Sequence, residues 1–181
     1  MNFVTYLLAG FIAAMLGGLM PGAVNLSVAY TTLHRGAKFA IPVILSAALG
    51  EVAISFCALH GTALVEKYIQ GNQPLQWTMV FILLGVGVFL YKKTPKPPRP
   101  PKSTGRRVGK GLFTGFTLAF VNPPVLVFWL VAFAYLASNL KISVRDNLSE
   151  LAVLFFVGIF LGKCFLLWLY LLLSRQISRQ V

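Results

Sequence analysis

Long apolar stretches separated by short polar ones set the pattern of this chain. They run over Val4 to Leu33, Phe39 to Gly61, Pro74 to Tyr91, Gly109 to Ala137 and Leu148 to Leu173. Each offers the roughly 17 to 25 residues a helix needs to cross a bilayer, and the first and fourth exceed it. The pattern predicts an all-α, multi-pass transmembrane helix bundle with five spans. The two overlong stretches each carry a breaker near the middle. In Gly18-Leu19-Met20-Pro21-Gly22-Ala23-Val24-Asn25, Pro21 removes a backbone donor, its ring crowds the carbonyl of Gly17, and Gly22 weakens the helix further. In Val121-Asn122-Pro123-Pro124, two prolines take the helical partners from the carbonyls of Ala119 and Phe120. Irregular backbone at membrane depth survives where protein covers it or where it lines a wet cavity, so both breaks mark a candidate site.

The pattern also repeats. Each broken stretch begins a half, and each half contains a span whose centre reads glycine then charge, Gly50-Glu51 in the first and Gly162-Lys163 in the second. Three spans separate the two starts, so the halves take opposite orientation, as in the inverted repeats of secondary transporters. The reading is a single transmembrane domain over 1–181, with repeat 1 at 1–91, a basic linker at 92–110 and repeat 2 at 111–181. Repeat 2 has no counterpart of the third span, and a sixth span is expected after Val181. Glycines four residues apart, Gly18 and Gly22, Gly111 and Gly115, Gly158 and Gly162, predict helix interfaces.

Composition agrees: 57% hydrophobic and 11% charged residues do not suit an ordinary soluble domain. A net charge of +12 would point to nucleic acid in a soluble protein. Here the basic residues crowd into the connections between spans, and they read as an orientation signal with no nucleic-acid partner. Residues 92–110 hold Lys92, Lys93, Lys96, Arg99, Lys102, Arg106, Arg107 and Lys110 among five prolines, a hydrated linker placed on the cytoplasmic side. Arg35, Lys38, Arg175 and Arg179 fall on that side too, opposite Lys67, Lys141 and Arg145, which puts the N-terminus outside. Met1-Asn2 supplies no basic n-region, so the first stretch reads as a retained span and not as a cleaved signal.

The candidate chemistry is sparse. A charge at mid-span costs roughly 2.5 to 3.5 kcal/mol on insertion scales, so Glu51 and Lys163 need partners, and they are expected to approach each other. Glu51 is the proton-coupling candidate, with Lys163 holding it ionised in one state and releasing it in another. Pro21, Gly22, Asn25, Asn122, Pro123 and Pro124 are the substrate-binding candidates. The helix segments that follow the two breaks present unpaired N–H groups and positive dipole ends to a carboxylate, and the freed carbonyls suit an ammonium group. Asn122 is a good N-cap and Pro123 a good first helical residue. Asn25, Ser27, Thr31 and Ser46 are further cavity candidates. His34 and His60 stand at span ends without a second ligand at metal spacing, and Cys57 and Cys164 read as packing residues, so no metal site and no cofactor is expected. No nucleophile and base pair at membrane depth suggests an enzyme.

Several of these residues together resemble the LysE/RhtB family of bacterial amino-acid exporters: Met20-Pro21-Gly22, Gly36, Ala48-Leu49-Gly50-Glu51, Gly115-Phe116, Asn122-Pro123 and Phe128, in order and with similar spacing. The resemblance implies six spans in two inverted halves, a place in the bacterial inner membrane, and export of small amino acids or related zwitterions driven by protons. The chain departs from the family pattern at Ala23, where a second proline is usual, at Pro124, where Lys or Arg is usual, and at Glu51, where Asp is common. A metal-cation exporter of the same fold and a non-transporting membrane scaffold subunit are the alternatives. A bundle this small has room to dimerise, so a homodimer stays open.

Overall fold

The computed structural model of the chain describes residues 3–19, 22–69, 73, 74, 77, 81, 84, 85, 88, 108–139 and 150–180. Every element among them is an α-helix: α1 Phe3–Gly18, α2 Ala23–Arg35, α3 Ala37–Ile69, α4 Val108–Phe120, α5 Pro123–Asn139 and α6 Glu150–Gln180. Backbone contacts divide the chain into a unit of residues 1–59 with 106–181 and a unit of residues 60–105. In the second, the described positions 74, 77, 81, 84, 85 and 88 of the predicted third span are helical, and the rest of that span lies outside the described residues.

Both predicted breaks are present. α1 stops at Gly18, ahead of Pro21, and α2 restarts at Ala23 after a bend of 78°. Gly22 is the N-cap, in extended conformation, and its carbonyl accepts the first helical bond from Leu26 N at 3.0 Å. The second break is shorter. α4 ends at Phe120, α5 begins at Pro123, and the bend is 55°. Gly36 ends α2 with φ +88°, a conformation glycine adopts without the Cβ penalty, and its N–H closes on Thr32 O at 3.1 Å. α3 then starts at once.

α3 over Ala37–Thr62 and α6 over Leu151–Ile177 are long and apolar enough to cross a bilayer, and each bent pair qualifies as one interrupted span. The exposed face of α1 carries Leu8, Ile12 and Leu16, and that of α6 carries Val153, Val157, Leu161, Phe165 and Trp168. Apolar residues at helical spacing on an outer face suit a lipid solvent.

The core of the first unit has two clusters. One joins Tyr6 and Ala14 of α1, Ile54 and Ala58 of α3, Trp129 and Phe133 of α5, and Phe155 and Ile159 of α6. The other joins Val24 and Val28 of α2, Ala40, Val43 and Ala47 of α3, Ala119 of α4, and Leu167 and Leu171 of α6. The broken pair α1–α2 therefore runs from the first cluster to the second, and α4–α5 runs from the second to the first. α3 and α6 are opposed in the same way. Small residues allow the helices to approach: a Cβ on Gly158 or Gly162 would strike the α1 backbone at Leu7 or Phe11, and one on Gly115 would strike Val43 and Ser46 of α3.

The seam between two broken helices

Glu51 and Lys163 occupy the seam where the two core clusters meet. On α3, residues 40–47 belong to one cluster and 54–59 to the other, with Glu51 between. On α6, residues 152–159 and 167–171 divide likewise, with Lys163 between. Their side chains are 1% and 4% exposed, and Lys163 Nζ stands 3.1 Å from Glu51 Oε2. The approach is off the direction of a hydrogen bond, so Oε2 accepts none while remaining ion-paired. The other oxygen, Oε1, accepts a hydrogen bond from Trp129 Nε1 at 3.3 Å. An ion pair in such a dry position gains from a low effective dielectric and loses heavily if one partner is removed.

The seam touches both breaks. At the first, Asn25 Nδ2 donates to Gly18 O at 2.9 Å, so a buried side chain of α2 reaches back seven residues to the last carbonyl of α1. Leu19 O accepts a longer bond from Tyr170 Oη of α6 at 3.4 Å. Lys163 lies against the same turn, since a Cβ on Gly18 would stand 3.4 Å from its Nζ and would collide with Leu166. At the second break, Gly50 allows α3 to touch the end of α4: a Cβ there would lie 2.7 Å from Phe116 O, 2.8 Å from the Ala119 Cβ and 3.3 Å from Phe120 N. The flanks of the two breaks also meet directly, because Gly17 faces the ring of Phe128, five residues into α5 from Pro123.

The residues expected from sequence divide accordingly. Glu51, Lys163 and Asn25 come together around the end of α1. Gly22 is half-buried at the start of α2, and Pro21 lies outside the described residues. Asn122 is half-buried, and its carbonyl accepts from Val125 N at 3.0 Å and Leu126 N at 3.1 Å, the bonds of a helix start. Pro123 and Pro124 are exposed. The amide nitrogen of Asn25, a substrate-binding candidate, donates to the carbonyl of Gly18 at the break. Ser46 and Thr32 bond their own helix, at Val43 O and Val28 O. Among the described residues no cluster of three or more His, Cys, Asp or Glu is placed to hold a metal ion.

Sequence reasoning missed Trp129, which is fully buried. A signal existed: tryptophan favours the membrane interface, so one in the middle of a span requires an acceptor for its N–H, and Glu51 is the acid at matching depth.

Comparison with known proteins gives a match to the LysE type translocator family over residues 15–180. No curated protein and no solved structure matched the chain. Apolar helices, two interrupted pairs and a family match over nearly the whole length agree, and this chain belongs to the LysE type translocators, a family of multi-pass membrane transporters.

Proposed function

We propose that this protein is a secondary-active exporter of small amino acids or related zwitterionic metabolites, coupled to protons, with its site at mid-membrane between the two broken helices. The observation that carries the reading is the buried Glu51–Lys163 pair at a seam reached by both breaks. The opposed courses of α1–α2 and α4–α5 between the same two clusters support two inverted halves. α2 and α5 begin at this seam, and their amino ends add positive dipole to Lys163, a field suited to a carboxylate. Carbonyls robbed of partners by Pro21, Pro123 and Pro124 are acceptors for an ammonium group. Gly22, Asn25 and Asn122 shape the two turns. Glu51 takes and releases the proton, and Lys163 stabilises its charged form in one of the two access states.

Orientation follows from the basic linker, with residues 92–110 in the cytoplasm, the N-terminus outside and the bacterial inner membrane as the setting. The metal-cation alternative finds no support in the donor set around the seam, where one carboxylate is paired with a lysine. For a scaffold subunit, two breaks and a buried charge pair are an expensive way to lock helices. The test is counterflow in proteoliposomes against a panel of labelled amino acids, with and without an imposed pH gradient. At least one small zwitterion should exchange and be accelerated by the gradient. Glu51→Gln should remove the gradient-driven component, and full acceleration in that variant would overturn the assignment.

A further inference from the structure

We infer that Trp129 is a positioning residue for Glu51, a latch that ties the segment beyond the second break to α3 and loosens when the carboxylate loses its charge. Within the first core cluster Trp129 is ringed by phenylalanines. Its ring is edge-on to Phe128 at 5.3 Å and to Phe155 at 6.4 Å, and tilted on Phe133 at 5.5 Å. Phenylalanine would serve such a cluster as packing. The indole adds one N–H, and that group reaches Glu51 Oε1 at 3.3 Å inside a fully buried site. The surrounding rings confine the indole to this orientation, so the bond is built by the fold of α5 and α6.

The two oxygens of Glu51 therefore have separate partners on separate elements: Lys163 of α6 at Oε2 and Trp129 of α5 at Oε1. α1 brings the Gly18 turn to Lys163, and α4 brings the backbone of Phe116 to Phe120 against Gly50. Among the described residues Lys163 is the charged group within ion-pair reach of the carboxylate. A hydrogen bond to an ionised acceptor is about twice as strong as one to a neutral acceptor. Neutralising Glu51 thus weakens both attachments at once, and α5 is freed from α3 at the depth of the break. This deepens the proposed proton coupling, on which it rests, by naming the side chain that converts the charge state of Glu51 into movement of a broken helix.

The test reads Trp129 directly, in the full chain reconstituted in nanodiscs. With Trp77 and Trp168, both exposed, replaced by Phe, Trp129 is the remaining tryptophan and can be excited selectively over the tyrosines. Glu51→Gln, which holds this side chain neutral, should shift the Trp129 emission and raise its collisional quenching relative to the protein with Glu51 intact. Identical emission and quenching in the two proteins overturns the inference. The difference in emission between the unmodified chain and Trp129→Phe gives the same readout with Trp77 and Trp168 in place. A double-mutant cycle on thermal unfolding supplies the second arm: Trp129→Phe should cost about 10-fold or more in the folding equilibrium when Glu51 is intact, and much less in the Glu51→Gln background. Equal costs in both backgrounds would make Trp129 a packing residue. Neither arm uses transport, so a Trp129 that responds to neutralisation of Glu51 in a protein that moves no amino acid would defeat the transport reading and leave the latch standing.

Discussion

At the scale of residues, the molecule depends on one charge pair that neither partner tolerates alone. Lys163→Met leaves a carboxylate buried in the seam without its cation, and removal of one partner from a buried pair costs about 3 to 5 kcal/mol. The double variant Glu51→Gln with Lys163→Met removes both charges and should recover much of that loss, to be measured as thermal unfolding of the purified protein in detergent. A double variant no more stable than Lys163→Met would mean the pair does not govern this region. Asn25→Ala removes the donor to Gly18 O and should cost about 1 to 3 kcal/mol in the same assay, as expected for an unsatisfied buried acceptor. The sequence made Glu51 and Lys163 legible because charge at membrane depth is rare and must be answered. It hid the roles of Asn25 and Trp129, since a hydrogen bond between residues far apart in sequence has no local signature. For Asn25 a polar side chain beside a helix break suits two uses, facing a solute and mending the turn, and the bond to Gly18 O is the second.

At the scale of elements, the breaks were legible and the helix ends less so. Proline chemistry is local, so the interruptions near Pro21 and at Asn122-Pro123 fall where the missing donors put them. The ends of α3 and α6 run to Ile69 and Gln180, beyond the apolar limits at Gly61 and Leu173. Apolarity reports where lipid stops, and backbone hydrogen bonding continues past that surface into water. Glycine spacing forecast two interfaces correctly: Gly158 and Gly162 on α1, Gly111 and Gly115 on α3. A side chain at Gly115, Gly158 or Gly162 must force backbones apart, so Gly162→Val should abolish a monodisperse peak in size-exclusion chromatography. Gly85→Ala is the control, because a Cβ there meets nothing within 4 Å, and its profile should be unchanged.

At the scale of the whole molecule, one geometric scheme connects sequence to transport. Two interrupted helices run in opposite senses between two apolar clusters, and the paired charges occupy the plane between those clusters. Among the described residues, Lys163 and Trp129 converge on Glu51 in that plane. The pattern of apolar stretches forecast an all-helical protein, and the charges at mid-span forecast the approach of Glu51 and Lys163. The identity of the solute was not legible, because the backbone groups of the proposed site would accept any carboxylate and any ammonium. Selectivity depends on the shape of the space around them.

The central claim is that the charge state of Glu51 and the movement of solute are one coupled event, and substrate-driven proton flux measures it most directly. In proteoliposomes loaded with a pH-sensitive dye, addition of a transported amino acid should move protons through the unmodified protein. With Glu51→Gln the solute should exchange while the dye stays silent. Equal proton movement in the two proteins would contradict the account.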